Sequence, residues 1–125
     1  MKKHEINILM VDNNERFLAT AREYLTEQDF IEQVFITAND SEGLRIAGDK
    51  KPDIILLDVL MPGRNGIDLI PSFRKKSPDS KIIMLTLWDM NGYRDSASTA
   101  GADDFVTKRA MAETLLPAIK KAIVN

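Results

Sequence analysis

Four side chains in this sequence of 125 residues stand where chemistry could follow from position. Each comes at or just past the end of a short apolar run. Asp12 follows Ile8 to Val11, Asp58 follows Ile54 to Leu57, and Thr86 follows Ile82 to Leu85. Lys108 follows Phe105 and Val106 after one intervening residue, Thr107. A carboxylate can act as a nucleophile and form an acyl phosphate. A second carboxylate beside it suits Mg²⁺, which takes oxygen ligands, retains several waters and neutralises charge on a transferring group. A Lys offers a point positive charge to phosphate oxygens, and a hydroxyl donates to another. Two carboxylates, a hydroxyl and an ammonium therefore suggest phosphoryl chemistry, provided the fold brings them to one edge.

The elements that must do so are legible from hydrophobic periodicity. With Val34 to Ile36 the apolar runs number five, and they are continuous rather than alternating, which suits strands buried on both faces of a parallel sheet. Between them lie stretches of helical period. Phe17, Ala21, Tyr24 and Leu25 make one stripe, Ile67, Ile70 and Phe73 another with Arg74 at its edge, and Leu115, Ile119, Ala122 and Ile123 the last. Asn13 or Asn14 is placed to cap the first helix and Asp40 or Ser41 the second. The segment Asn91 to Ala100, with Gly92, Ser96, Ser98 and Thr99, predicts a marginal helix, and Pro117 predicts a kink or local loosening in the last one. Strands alternating with helices give an α/β fold: (βα)₅, a doubly wound, five-stranded parallel sheet with helices on both faces. In such sheets ligands bind outside the carboxyl ends of the strands, where strand order reverses. By analogy with other doubly wound sheets the order is 2-1-3-4-5. That order puts Asp12 beside Asp58, with Thr86 and Lys108 flanking the same edge.

Composition narrows the function classes. A chain this long can bury roughly two-thirds of its unfolded surface, so one domain spanning 1–125 needs no covalent staples. Seventeen Lys and Arg against nineteen Asp and Glu give a net charge of −2, without the basic excess of a nucleic-acid-binding module. There is no Cys, which excludes disulfides and thiolate chemistry, and the single His4 leaves no His-based zinc site. No apolar stretch approaches the length of a membrane span, and the first residues lack a signal-peptide core, so the expected location is cytoplasmic.

At this point the sequence resembles a known family, the receiver domain of two-component response regulators. The motifs that carry the resemblance are Ile8-Leu9-Met10-Val11-Asp12, Leu56-Leu57-Asp58-Val59-Leu60-Met61-Pro62-Gly63 with Asn65-Gly66 after it, Ile83-Met84-Leu85-Thr86, and Gly101-Ala102-Asp103-Asp104-Phe105-Val106-Thr107-Lys108. Each is weak alone; in this order and at these intervals, across nearly the whole chain, they are specific. The resemblance implies a flavodoxin-like fold in which Asp58 accepts a phosphoryl group from a sensor histidine kinase or phosphotransfer protein. It implies Asp12, Asn13, Asp58 and the backbone carbonyl of Leu60 as the Mg²⁺ site, and Lys108 as the phosphate-binding lysine. It also implies Thr86 and Phe105 as the switch hydroxyl and switch aromatic. The domain would phosphorylate itself without being an enzyme acting on other substrates. Its output would be a further domain, DNA-binding in some longer chains, or a protein partner. The readout face would comprise the fourth helix, fifth strand and fifth helix, with Arg109 and Lys120 as candidate contacts and a homodimer as one use of it.

Three positions depart from the family pattern. Asn13 stands where a second acid is usual, which implies weakened Mg²⁺ binding. Leu87, followed by Trp88, stands where a small residue is usual, and Arg109 where Pro is usual, so the turn after Lys108 is expected to differ. These departures motivate an alternative: a pseudo-receiver that acts as a phosphorylation-independent interaction module. An aspartyl-phosphate hydrolase fits poorly, because Val59-Leu60 places no second carboxylate two residues after Asp58. A flavin mononucleotide carrier fits poorly too, because no Ser/Thr/Gly-rich phosphate loop follows the first strand.

Overall fold

A computed structural model of the chain describes residues 5–61, 63–87 and 92–124. His4, Pro62, Trp88 and Asn91, all weighed above, lie outside the described residues. Five strands form one parallel sheet: β1 (Ile6–Val11), β2 (Ile31–Thr37), β3 (Ile54–Asp58), β4 (Lys81–Thr86) and β5 (Asp104–Thr107). Their order is β2-β1-β3-β4-β5, the order expected by analogy with other doubly wound sheets.

The continuous apolar runs have a direct cause. On the central strands successive side chains point to opposite faces, and both faces are covered. Ile8 and Met10 of β1, Ile54 and Leu56 of β3, and Ile83 and Leu85 of β4 enter one core. That core is closed by α1 (Glu15–Thr26) and α5 (Met111–Ile123). Leu9, Val11, Ile55, Leu57, Ile82 and Met84 enter the other, beneath α2 (Asp40–Lys50), α3 (Ile70–Lys76) and α4 (Tyr93–Ala100). No polar face is left on these strands, so polar residues collect where the strands end.

The helix starts follow local chemistry. Asn14 caps α1, its side-chain oxygen accepting from the amide of Phe17 at 3.0 Å. At α2 the cap is Asn39 rather than Asp40 or Ser41; it accepts from Glu42 N at 2.8 Å. Asn39 has the extended backbone a cap requires, whereas Asp40 already lies inside the helix. The stripe from Ile67 to Arg74 divides into a short 3₁₀ turn, Gly66–Leu69, and α3, whose first turn accommodates Pro71 because its missing N–H would be unsatisfied there anyway. Arg74 is more than a charged edge: it donates to Ser80 O and Gly101 O and pairs with Asp103 at 3.0 Å. Helix α5 runs through Pro117 without interruption, the proline on its exposed side while Leu115, Ala118 and Ile119 are buried against the sheet. No helix among the described residues is long and apolar enough to cross a membrane.

The weakest element is α4. It is eight residues long, has no side-chain cap, and is bracketed by Gly92 and Gly101 in left-handed conformations. Ala97 alone among its residues is buried, and Ser96, Ser98 and Thr99 are exposed. Low intrinsic propensity and little burial both lower the cost of local opening. Amides of Tyr93–Ala100 are therefore expected to exchange with solvent at least tenfold faster than those of α1 and α5; equal protection in a native-state exchange experiment would contradict this.

Candidate functional site

The carboxyl ends of β1, β3, β4 and β5 bring Asp12, Asp58, Thr86 and Lys108 to one edge. Register does this without help from long loops. Val11 pairs with Leu57, so Asp12, the next residue, stands beside Asp58. Asp58 pairs with Leu85 and Thr86 with Thr107, which leaves Lys108 one residue past the same edge.

Asp12, Asp58 and Thr86 are all buried. Lys108, with its side chain only 13% exposed, reaches between the carboxylates: Nζ lies 2.6 Å from Asp12 Oδ2 and 3.8 Å from Asp58 Oδ1. Two backbone amides hold the acids in place. Asn14 N donates to Asp12 Oδ1 at 2.9 Å, and Leu60 N donates to Asp58 Oδ1 at 3.3 Å. Asp12 Oδ2 is buried and, besides its ion pair with Lys108, accepts no hydrogen bond, so it retains acceptor capacity.

The loop after β3 depends on one glycine. Leu60–Met61 and Arg64–Asn65 form a two-residue antiparallel ladder, and Asn65 caps the turn that follows by accepting from Ile67 N at 2.8 Å. Chain return brings Gly66 against the backbone of Asp58. A Cβ there would lie 1.9 Å from the Asp58 carbonyl oxygen, so no other residue fits without displacing the acid. The sequence places Gly66 in a turn motif; its role in seating Asp58 is visible only in three dimensions.

Electrostatics set the state of Asp58. Burial, and after it the adjacent Asp12 charge, raise its pKa, Lys108 and the amides of Leu60 and Val59 pull it back, and the net is a rise from 3.8 to about 6. At neutral pH it is mostly ionised and poorly solvated.

The switch candidates share a face. Met84 pairs with Phe105, and Thr86 lies two residues beyond Met84, so Thr86 and Phe105 are diagonal neighbours on the α3/α4 side of the sheet. Phe105 is 8% exposed, with the Arg94 guanidinium 4.8 Å from its ring centroid. Asn13 is exposed at the rim, as is the side chain of Leu87, and Leu60 is exposed beside Asp58. Every described peptide bond is trans; residues Lys108–Ala110, Arg109 included, form a single 3₁₀ turn leading into α5. Reading Phe17 as core stripe alone misses a contact: its ring lies 4.3 Å from Lys108 Nζ.

Comparison with known proteins agrees with this geometry. The sequence matches the family model described as response regulator receiver domain over residues 8–120. It is 34% identical over 118 residues to the response regulator protein VraR of Staphylococcus aureus, covering 93% of this chain and 56% of that protein. The chain thus spans about half the length of the curated relatives it matches. Among solved structures, the response regulator domain of Thermotoga maritima CheB superposes with a TM-score of 0.87 at 27% identity, covering 98% of each chain. A Burkholderia pseudomallei response regulator protein with a phosphorylated aspartic acid, calcium ion and citrate superposes at 0.79 with 27% identity, over 97% of this chain and 75% of that one.

The raised pKa of Asp58 carries a stability consequence with a definite sign. Below its unfolded value of 3.8 the group is neutral in both states and exacts no penalty; as pH rises to about 6 and beyond it must ionise in a buried site. The stability associated with neutral Asp58 is therefore present at low pH and lost across that window. In metal-free buffer, Asp58→Asn is expected to stabilise the fold by about 1 to 3 kcal/mol above pH 7, a gain that shrinks towards pH 4. Denaturant melts at several pH values check this, and a pH-independent difference would contradict it.

Proposed function

The chain belongs to the response regulator receiver family, and on that premise we propose that it takes a phosphoryl group onto Asp58 and passes the signal to an output surface. One observation carries the reading: Asp12, Asp58 and Lys108 meet within ion-pair distance at a single sheet edge, with Thr86 on the adjoining strand end. An oxygen of ionised Asp58 attacks phosphorus, the bond from phosphorus to the donor breaks, and the donor leaves with that electron pair. The product is an acyl phosphate. Such transfers are governed by positioning and charge stabilisation more than by covalent help from the protein. Lys108 supplies positive charge to the incoming oxygens and Thr86 a hydroxyl donor. The donor consistent with this chemistry is a sensor histidine kinase or a phosphotransfer protein, and the domain modifies itself rather than turning over a substrate.

Receiver domains generally bind Mg²⁺, and the residues here fit a hard, oxygen-preferring ion. Asp12 retains a buried acceptor oxygen, Asp58 contributes a second carboxylate, and the Leu60 carbonyl and Asn13 amide oxygen complete the candidate set. When bound, the ion would neutralise charge on the transferring group. No group of three His, Cys, Asp or Glu is present among the described residues, so the site has two acids where the family usually has three.

The output is proposed to run through the α4–β5–α5 face, since the weakest helix and Phe105 both lie there. Arg109 stays a candidate contact for that face, whereas Lys120 is turned to the Phe30 ring, 5.4 Å away, and is not carried forward. In longer relatives of this chain an appended domain or a second copy would read the face.

Incubation with Mg²⁺ and acetyl phosphate, followed by mass spectrometry, is expected to add one phosphoryl mass that Asp58→Asn abolishes. An unchanged gain in that variant would move the acceptor elsewhere, and no gain in the native chain would favour the pseudo-receiver. Asn13→Asp adds a unit charge near the ion, an interaction of several kcal/mol at about 4 Å before solvent compensation, and is expected to tighten Mg²⁺ binding by roughly tenfold. Isothermal titration calorimetry checks this; equal affinity would show that position 13 does not reach the metal.

A further inference from the structure

We infer that Phe17 is a positioning residue for Lys108, holding its ammonium over the ring face so that all three N–H donors stay available to oxygen atoms. The inference rests on the phosphoacceptor reading above. Lys108 Nζ lies 4.3 Å from the Phe17 ring centroid, inside the range of a cation–π contact, while also 2.6 Å from Asp12 and 3.8 Å from Asp58. A lysine on a four-carbon stem is flexible, and its turn, Lys108–Ala110, has no side-chain cap to anchor it. An aromatic face attracts the charge without accepting a directed hydrogen bond. Lys108 can therefore shift from Asp12 towards added phosphoryl oxygens while the ring keeps it at the edge.

A second set of contacts fixes the ring from the same acid. Asn14 N donates to Asp12 Oδ1, and Asn14 Oδ1 accepts from Phe17 N at 3.0 Å. Asp12 thus orients both the start of α1, which carries Phe17, and the ammonium that Phe17 faces. The ring packs against the α1/α5 core on one side only. Phe17 is only partly buried and also lines a cavity of about 300 Å³ with Thr20, Ala21, Tyr24, Met111 and Ala112.

The test separates ring charge from ring shape. Replacing Phe17 by mono-, di- and trifluorophenylalanine keeps the side chain's shape while draining its negative face. The rate of phosphorylation by acetyl phosphate with Mg²⁺ should fall stepwise, by roughly three- to tenfold at the third fluorine. Phe17→Tyr should retain the rate within about twofold, and Phe17→Leu should lose it to the trifluoro level. Circular dichroism confirms that each variant is folded. Equal rates across the series, with the native chain phosphorylated, would overturn the inference. Failure of the native chain to be phosphorylated would instead overturn the acceptor reading. A readout independent of turnover decides the contact itself: in metal-free protein the Lys108 ε-methylene protons should be shifted upfield by the ring and return to ordinary lysine values in Phe17→Leu. Unshifted protons in the native chain would refute the contact.

Discussion

Everything at the site depends on one ammonium set between two buried carboxylates. Asp12 and Asp58 are withdrawn from water at adjacent strand ends, where they repel each other, and Lys108 is the cation that reaches both. At an effective dielectric of about 20, unit charges about 4 Å apart interact by about 4 kcal/mol, so the pairing is a large term against desolvation. It does not close the account. Two negative charges against one positive leave the pocket with an excess acid, and the burden falls on Asp58, whose pKa is pushed to about 6. The pocket is consequently built to accept positive charge, and its electrostatic tension is a property of the unligated fold.

The sheet makes that tension possible. Because β1, β3 and β4 are covered on both faces, their interiors are apolar apart from Asn7 near the start of β1, and the carboxyl ends of the strands are where acids can stand. A register offset by one residue on any of these strands would exchange the two cores and break the apposition of Asp12 with Asp58. Gly66 adds a second constraint from the loop, since the chain returns so close to the Asp58 carbonyl that a methyl group cannot be inserted. The acid is thus fixed by strand register on one side and by a glycine contact on the other.

Much of this was legible in the sequence. Five continuous apolar runs, each ending in a residue of particular chemistry, identify the sheet, its burial and the strand-end set Asp12, Asp58, Thr86 and Lys108. Capping was half legible. Asn14 reads correctly, but at α2 three neighbouring residues, Asn39, Asp40 and Ser41, all have capping side chains, and only backbone conformation selects Asn39. The stripe from Ile67 to Arg74 reads as one helix because a 3₁₀ turn and the α-helix that continues it share apolar spacing. The contact of Phe17 with Lys108 was hidden for a different reason. Phe17 belongs to a genuine amphipathic stripe, and nothing in its periodicity reveals that the residue at the helix's first turn meets a lysine ninety-one positions later. Contacts between the start of one helix and the end of a distant strand are set by topology, which local pattern does not encode.

The two faces of the sheet are unequal in firmness, and that inequality gives the site a direction in which to act. Beneath α1 and α5 the core includes Leu18, Leu25, Leu115 and Ile119, from a capped helix and the longest helix of the fold. Beneath α4 the helix buries Ala97 fully and adds only the partly buried Tyr93 and Ala100. On the proposed phosphoacceptor reading, a displacement set off at Asp58 would be taken up where rearrangement costs least, and Thr86 and Phe105 both face that softer side. Phe105 has few ways to respond. Its ring is buried on one side and faced by Arg94 of α4 on the other, so any movement of the ring must move Arg94 or α4 with it. A bistable element needs two arrangements separated by a few kcal/mol, and among the described elements a short helix without a side-chain cap, with Ala97 its one buried residue, comes nearest to that requirement.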